Sequence, residues 1–314
     1  MTDTNRIALG TWSWGVGMVG GDQVFGNNVD EKDLKPVFDA AMKAGLCLWD
    51  TATVYGMGAS ESILGTLSAN YKREDVILST KFTPQIASNS ANPVMEMCDA
   101  SLERLKADSI DIYWIHNPAD VEKWTPKLIE LVKSKKVKRV GVSNHNLKQI
   151  RRVQEILSAE GVSLSAVQNH YSLLYRSSEK AGILDYCRKN NIEFFSYMVL
   201  EQGALSGKYN TSNPLPEKSQ RGATYNPMLP QIERLTNEMN TIGEKYGVSP
   251  AQIAIAWAMA KGTTPIIGVT KVSQVEDAEK ALKVVLSDYE INRLETVADQ
   301  IGVDTKGDWE NPMV

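Results

Sequence analysis

Four ionisable residues, Asp50, Tyr55, Lys81 and His116, have the types and the spacing to move protons together. Three of them end short apolar runs. Leu46-Cys47-Leu48-Trp49 leads into Asp50, Val76-Ile77-Leu78-Ser79-Thr80 into Lys81, and Ile110-Asp111-Ile112-Tyr113-Trp114-Ile115 into His116; Tyr55 follows shortly after Asp50. A phenol with an ordinary pKa near ~10 is a weak donor at neutral pH, and an adjacent ammonium favours the phenolate and lowers that pKa. Lys81 is the candidate ammonium, Asp50 the carboxylate that keeps it charged and in place, and His116 the group that hydrogen-bonds and orients a substrate oxygen. Such a set protonates an oxyanion as it forms, which suits a carbonyl accepting hydride or, in reverse, an alcohol losing one. Singly, a loop Tyr is usually a surface aromatic and an Asp–Lys pair a salt bridge. The weight of the reading lies in all four standing at or just past strand exits.

Those exits need a scaffold that brings them together. Short apolar runs alternate with segments of helical period, and strand candidates begin at Ile7, Leu46, Val76, Ile110, Arg139, Ser165, Ile192 and Thr264. Eight of them predict an α/β fold, a (β/α)8 TIM barrel, with its active site on the C-terminal face. Residues 1–314 are expected to form a single domain. Leu34, Val37, Phe38, Ala41 and Met42 share one helix face, as do Ile150, Val153 and Leu157, and Leu235, Met239, Ile242 and Tyr246; these faces should pack on the barrel wall. Ser249-Pro250-Ala251-Gln252 reads as an N-cap, a first-turn proline and a capping-box partner, with Gly262 as the stop. From Tyr209 to Pro230 runs an irregular stretch with four prolines, too long for a bare connector and expected to act as a flap.

Composition narrows the class. With 42% hydrophobic and 23% charged residues and a net charge of −4, the chain has a globular balance and no electrostatic footprint for nucleic acid or an anionic membrane. No apolar run approaches ~18 residues, and the start has neither a basic n-region nor an apolar h-region, so a soluble, cytoplasmic protein is expected. Asn210-Thr211-Ser212 is accordingly not expected to carry a glycan. Cys47, Cys98 and Cys187 are read as reduced packing thiols, and three histidines in separate segments make no metal motif; no metal is expected.

The run Asp50-Thr-Ala-Thr-Val-Tyr55-Gly-Met-Gly-Ala-Ser60-Glu61-Ser-Ile-Leu-Gly65 resembles the long signature around the catalytic Asp and Tyr of the aldo-keto reductase family. Ser79-Thr80-Lys81 and Asp111-Ile-Tyr-Trp-Ile-His116 resemble the segments bearing that family's Lys and His, and the likeness extends from about Ile7 to Ala298. The resemblance implies a TIM barrel that binds NADP(H), with NAD(H) also admitted, and reduces a small-molecule carbonyl substrate. No Gly-rich dinucleotide fingerprint follows a strand here, in keeping with cofactor binding without a Rossmann domain. Tyr55 would be the general acid and base, Lys81 and Asp50 would tune it, and His116 would position the carbonyl. Ser143, Asn144 and Gln168 would hold the nicotinamide carboxamide, and Tyr197 would stack on the ring. Leu200, Gln202, Gly203, Leu205 and Lys208 would form the turn whose N–H groups and Lys meet the pyrophosphate. Gly268, Thr270, Lys271, Gln274 and Asp277 would take the adenosine half, Lys271 favouring a 2′-phosphate. Trp12, Trp14 and Trp114 fall where they could approach the mouth, Trp12 being placed in the cofactor set, and Trp309 lies in a C-terminal tail of the kind that often walls the substrate pocket in the family.

Several positions depart from the family pattern. Thr270 and Ala278 replace more usual adenosine-site residues, Met198-Val199 replaces Ser-Pro after the stacking Tyr, and Glu201 replaces a Gly. His170 stands where an acidic residue is common, and Asn117 where an aromatic often lines the substrate site. A first strand at Ile7 leaves little room for the hairpin that usually plugs the barrel bottom, so helix-side loops or a partner would cover that end. Two other classes are weighed beside the reductase: a slow-turnover regulatory or accessory protein that keeps the cofactor, like the potassium-channel β subunits of this family, and a lyase or isomerase using Lys81 as a Schiff base.

Overall fold

The computed structural model describes residues 6–313. Eight parallel strands close a barrel in sequence order: β1 (Ala8–Gly10), β2 (Leu48–Asp50), β3 (Ile77–Phe82), β4 (Ile110–Ile115), β5 (Val137–Ser143), β6 (Leu164–His170), β7 (Glu193–Tyr197) and β8 (Thr264–Gly268). β1 pairs with both β2 and β8, Gly10 lying opposite Asp50 on one side and Gly268 on the other, so the sheet has no edge. Each expected strand is present within about two residues. The largest offsets are in β5, which begins before Arg139, and in β2, where the Leu46 N–H still closes the preceding helix by donating to Ala41 O at 2.9 Å.

Side chains alternate along a strand, so each strand contributes one set of residues to the barrel interior and the other to the helix layer. Ala8, Leu48, Ile112, Trp114, Ala166 and Phe195 form an inner cluster, with Ile77 and Ile266 against it. The intervening residues, among them Leu9, Trp49, Leu78, Phe82, Tyr113, Val140, Val142, Val167, Phe194 and Ile267, join the larger core beneath the helices. Trp114 fills much of the interior because residue 141 has no side chain. A Cβ at Gly141 would lie 2.4 Å from the Trp114 ring and 2.9 Å from Ala166 O.

The helix faces follow from periodicity with one exception. Leu34, Val37, Phe38 and Ala41 are buried in the helix Glu31–Lys43, with Met42 half-buried against the same core, and Asp30 opens the helix with a capping box. Ile150, Val153 and Leu157 are buried in Leu147–Ser158, and Leu235, Met239 and Ile242 in Leu229–Tyr246. Tyr246 is not: it is exposed, its hydroxyl donating to Glu290 Oε2 at 2.8 Å and to Val285 O at 3.0 Å. Ser249, Pro250 and Gln252 form the expected N-terminus of the helix Pro250–Ala260. The stretch expected to be an irregular flap contains the helix Gln220–Tyr225, with Tyr225 buried.

No hairpin precedes β1 among the described residues. At that end the inward-facing Arg139, Glu193 and Thr264 meet: Arg139 Nη1 and Thr264 Oγ1 each lie 3.0 Å from a Glu193 carboxylate oxygen. No helix of the described residues is long and apolar enough to cross a membrane.

Candidate active site

The inward set of each strand, continued to its C-terminal end, gives Asp50, Lys81, His116, Ser143, Gln168, His170, Tyr197 and Gly268. The same alternation that builds the inner cluster therefore delivers these residues to one mouth. At its base, Lys81 is fully buried and Asp50 is 3% exposed. Lys81 Nζ donates to Asp50 Oδ2 at 2.5 Å and to Thr51 O at 2.7 Å. The other oxygen, Asp50 Oδ1, accepts from Ser79 Oγ at 2.7 Å and Gln168 Nε2 at 3.2 Å, and Trp114 Nε1 donates to Ser79 Oγ at 2.7 Å. The carboxylate is thus satisfied from two other strands, β3 and β6, as a buried charge requires.

Tyr55 stands above this pair, the Lys81 Nζ lying 5.4 Å from its ring centroid. Its edge meets the His116 ring at 6.0 Å and an interplanar angle of 80°, and Trp12 stacks on its other side at 5.8 Å. Gly56, Met57 and Gly58 carry the chain away through positive φ, which turns it sharply into the helix Ala59–Ser68. His116 Nδ1 lies 3.0 Å from Thr83 Oγ1. Burial and the Lys81 charge pull the His116 pKa down to about 3, so its ring is neutral.

The phenol behaves differently from the expectation. Burial, aided by the Asp50 charge, pushes the Tyr55 pKa up. Burial also pulls the Lys81 pKa down, opposed by Asp50. The desolvated phenol faces the Asp50 carboxylate, and the Lys81 Nζ hydrogen bonds are made to Asp50 and Thr51 O. Tyr55 keeps its proton firmly at neutral pH.

Among the residues assigned to the nicotinamide end, Asn144 adopts φ 62° and accepts from Tyr197 OH at 2.6 Å, while its Nδ2 donates to His116 O at 3.0 Å. Ser143, Asn144, Gln168 and Tyr197 are therefore side by side. Beyond β7, Gln202 and Gly203 have positive φ. The Gly203 and Leu205 N–H groups donate to Leu200 O at 2.8 and 3.2 Å. Those two donors, expected to face a pyrophosphate, are satisfied inside their own tight turn. Leu205 is buried, and Lys208 is exposed, its ammonium 5.1 Å from the Tyr209 ring. At the end of β8, Gly268 is exposed, and a Cβ there would meet nothing within 4 Å. Gln274 Oε1 accepts from the Thr270 and Lys271 N–H groups at 2.7 and 3.0 Å, capping the helix Val272–Ala281, and Asp277 accepts from Gln252 Nε2 at 2.7 Å. Lys271 is exposed at that helix start.

Of the tryptophans, Trp12 alone among the first three reaches the mouth. Trp14 is buried with its Nε1 on Val269 O, and Trp114 fills the barrel interior. Trp309 meets Trp12 edge-on at 6.2 Å. Sequence reasoning missed Ser79 and Thr83, which lie two residues either side of Lys81 on the same face, and Glu310, which no local signal marks.

A model of the Aldo/keto reductase family matches residues 6–299, and the chain belongs to that family, which makes it an oxidoreductase by class. It is 32% identical over 309 residues to the chloroplastic pyridoxal reductase of Arabidopsis thaliana, an alignment covering 94% of this chain and 83% of the relative. The aldo-keto reductase yakc [NADP(+)] of Schizosaccharomyces pombe is 29% identical, with 92% and 89% covered. Among solved structures, the glycerol dehydrogenase of Gluconobacter oxydans superposes with a TM-score of 0.81 at 26% identity, covering 96% of this chain and 94% of that one.

Proposed function

We propose that this protein is an NADP(H)-dependent oxidoreductase that reduces aldehydes or activated ketones to alcohols, with Tyr55 as the proton donor. The observation that carries this reading is the buried Lys81–Asp50 pair beneath a protonated Tyr55, flanked by a neutral His116 at the barrel mouth.

The residues present fit a phosphate-bearing dinucleotide. The buried Arg221 Nε has no partner, while its Nη1 bonds Gln202 O at 3.1 Å, which leaves guanidinium donor capacity beside the turn after β7. Gly268 leaves open space, and the exposed Lys271 begins a helix whose N-terminus favours an anion. Arg221 and Lys208 would hold the pyrophosphate end, Lys271 and Thr270 the adenosine end, and Ser143, Asn144, Gln168 and Tyr197 the nicotinamide. When bound, the cofactor supplies a hydride to the carbonyl carbon.

The protein's own part is to place the carbonyl oxygen and give it a proton. If the Thr83 hydroxyl donates to Nδ1, His116 carries its proton on Nε2 and donates to the carbonyl oxygen. Tyr55 then gives its proton as charge builds on that oxygen, an alkoxide being a stronger base than a phenolate. Lys81 and Asp50 act beneath as a fixed dipole, held by Ser79 and Gln168, so no reorganisation accompanies the transfer.

The test follows NADPH and NADH absorbance against small aldehydes, dicarbonyls, sugars and aromatic aldehydes. Pyridoxal belongs in the panel because of the Arabidopsis relative's name. Tyr55→Phe, run beside the parent, should lose roughly 10²-fold or more in rate while binding cofactor as before. Wild-type turnover in that variant would remove Tyr55 from the role. Tight cofactor binding without turnover across the panel would favour an accessory protein.

A further inference from the structure

Two departures from the family pattern, His170 and Glu201, meet each other and a third residue far along the chain. His170 is the last residue of β6 and faces inward. Its Nε2 lies 2.9 Å from Glu201 Oε1 and its Nδ1 2.7 Å from Glu310 Oε1, and all three side chains are fully buried. A neutral imidazole has one N–H, so it can face one carboxylate with a donor and the other only with a lone pair. Carboxylates on both nitrogens call for the imidazolium. Tyr175 and Tyr197 sandwich the ring, with centroids at 4.3 and 5.5 Å and planes 24° and 22° from parallel, which further favours a cation there.

Each carboxylate has a distinct anchorage. Glu201 sits in the turn after β7 and accepts from Tyr225 OH at 2.8 Å, from Ser172 Oγ and from Thr305 Oγ1 at 2.9 Å. Glu310 belongs to the tail that follows the last helix, Asp288–Ile301. Glu310 directly, and Thr305 through Glu201, therefore tie two points of that tail to the His170 junction. Trp309 lies between them in the chain, its Nε1 3.4 Å from Tyr197 OH and its ring edge-on to Trp12, which in turn stacks on Tyr55. Val16, Met18, Met57 and Trp309 are large apolar side chains exposed among the described residues, from the loop after β1, the loop after β2 and this tail.

We propose that His170, Glu201 and Glu310 are positioning residues that clamp the C-terminal tail onto the barrel mouth and, by holding Trp309 against Trp12, select carbonyl substrates with an apolar or aromatic body; the selectivity clause rests on the reductase reading. Without the clamp the tail has no other buried charge to hold it, and Trp309 leaves the pocket wall. With it, an aromatic aldehyde gains a face to pack on, while a small aldehyde gains little.

The test uses the full chain with Glu310→Gln, which keeps size and removes the charge, and Trp309→Ala. Hydrogen exchange read over residues 303–313 reports the clamp without any turnover. Glu310→Gln should raise exchange there by ~10-fold or more, and should raise KM for an aromatic aldehyde by ~10-fold while raising it far less for a two- or three-carbon aldehyde and lowering kcat less than it raises KM. Trp309→Ala should show the same KM pattern with tail protection kept, and Glu310→Asp should restore part of both. Unchanged tail exchange in Glu310→Gln overturns the clamp. Equal KM changes for large and small substrates overturn the selectivity. A parent protein that reduces nothing in the panel overturns the reductase reading and the selectivity with it, while the clamp still stands or falls on exchange alone.

Discussion

Glu310 reaches back 140 positions along the chain to bond His170, carboxylate oxygen to Nδ1, at 2.7 Å. Because the ring also meets Glu201 at 2.9 Å, the end of β6, the turn after β7 and the C-terminal tail are joined through one imidazolium.

That junction should be sensitive to base. Burial alone would lower the His170 pKa, but the charges and hydrogen bonds of Glu201 and Glu310 outweigh it and raise the value to about 9. Tyr175 and Tyr197 also face the ring, and Tyr225 faces Glu201; the Tyr175 pKa is raised to about 12 and those of Tyr197 and Tyr225 well above the ordinary value, chiefly by burial, so they stay neutral through this range. With a folded pKa above the ordinary ~6.5, the stabilisation is fully present below that pH and is lost as pH rises through about 9. Tail proteolysis or hydrogen exchange followed from pH 7 to 10 should show release centred near the upper value. In Glu310→Gln the step should shrink and move to lower pH.

Lys81→Met should be costly to the fold as well as to turnover. It leaves Asp50 buried with its hydroxyl and amide donors but no cation, and breaking a buried pair this way costs about 3–5 kcal/mol. Pairing it with Asp50→Asn should recover a good part of the loss. Denaturant unfolding of both singles and the double would read this directly; strictly additive losses would mean that the two side chains are not coupled.

Cofactor preference should change with Lys271→Ala. A charge-assisted hydrogen bond to a phosphate contributes about 1.5–3 kcal/mol, so NADPH affinity should fall by roughly 10-fold or more while NADH affinity stays close to the parent. Titration of cofactor fluorescence measures both. Equal losses would move the 2′-phosphate contact away from Lys271.

Gly141→Ala adds one methyl where the Trp114 ring is 2.4 Å away. Overpacking of this kind costs about 1–3 kcal/mol, and the shift of Trp114 would disturb its bond to Ser79 and, through it, Asp50. Thermal unfolding should show a clear drop in Tm. A variant as stable as the parent would mean that the ring moves freely inside the barrel.

The strands and the convergence of Asp50, Lys81 and His116 were legible in the sequence because both depend on local pattern: apolar runs of fixed length, alternation within them, and one chemically active residue at each exit. Three features were not. Trp14 and Trp114 could not be separated from Trp12, because a side chain two residues away along a loop or inside a strand faces another layer, and only the closed barrel says which. The Gly203 and Leu205 N–H groups were expected to face outward, but a tight turn of positive-φ residues folds them back on Leu200 O. The partnership of His170 with Glu310 joins segments with no local relation, so the sequence displayed His170 and Glu201 only as unexplained departures.

The shared parity of the inward side chains has an evolutionary side. Adding or losing one residue within β3 would turn Lys81 outward under the helices and bring Thr80 or Phe82 to the mouth, removing the ammonium without any substitution. Length changes in the loops at the rim leave that parity untouched and reshape what the pocket admits. The barrel should hold its proton chemistry constant while its substrates drift.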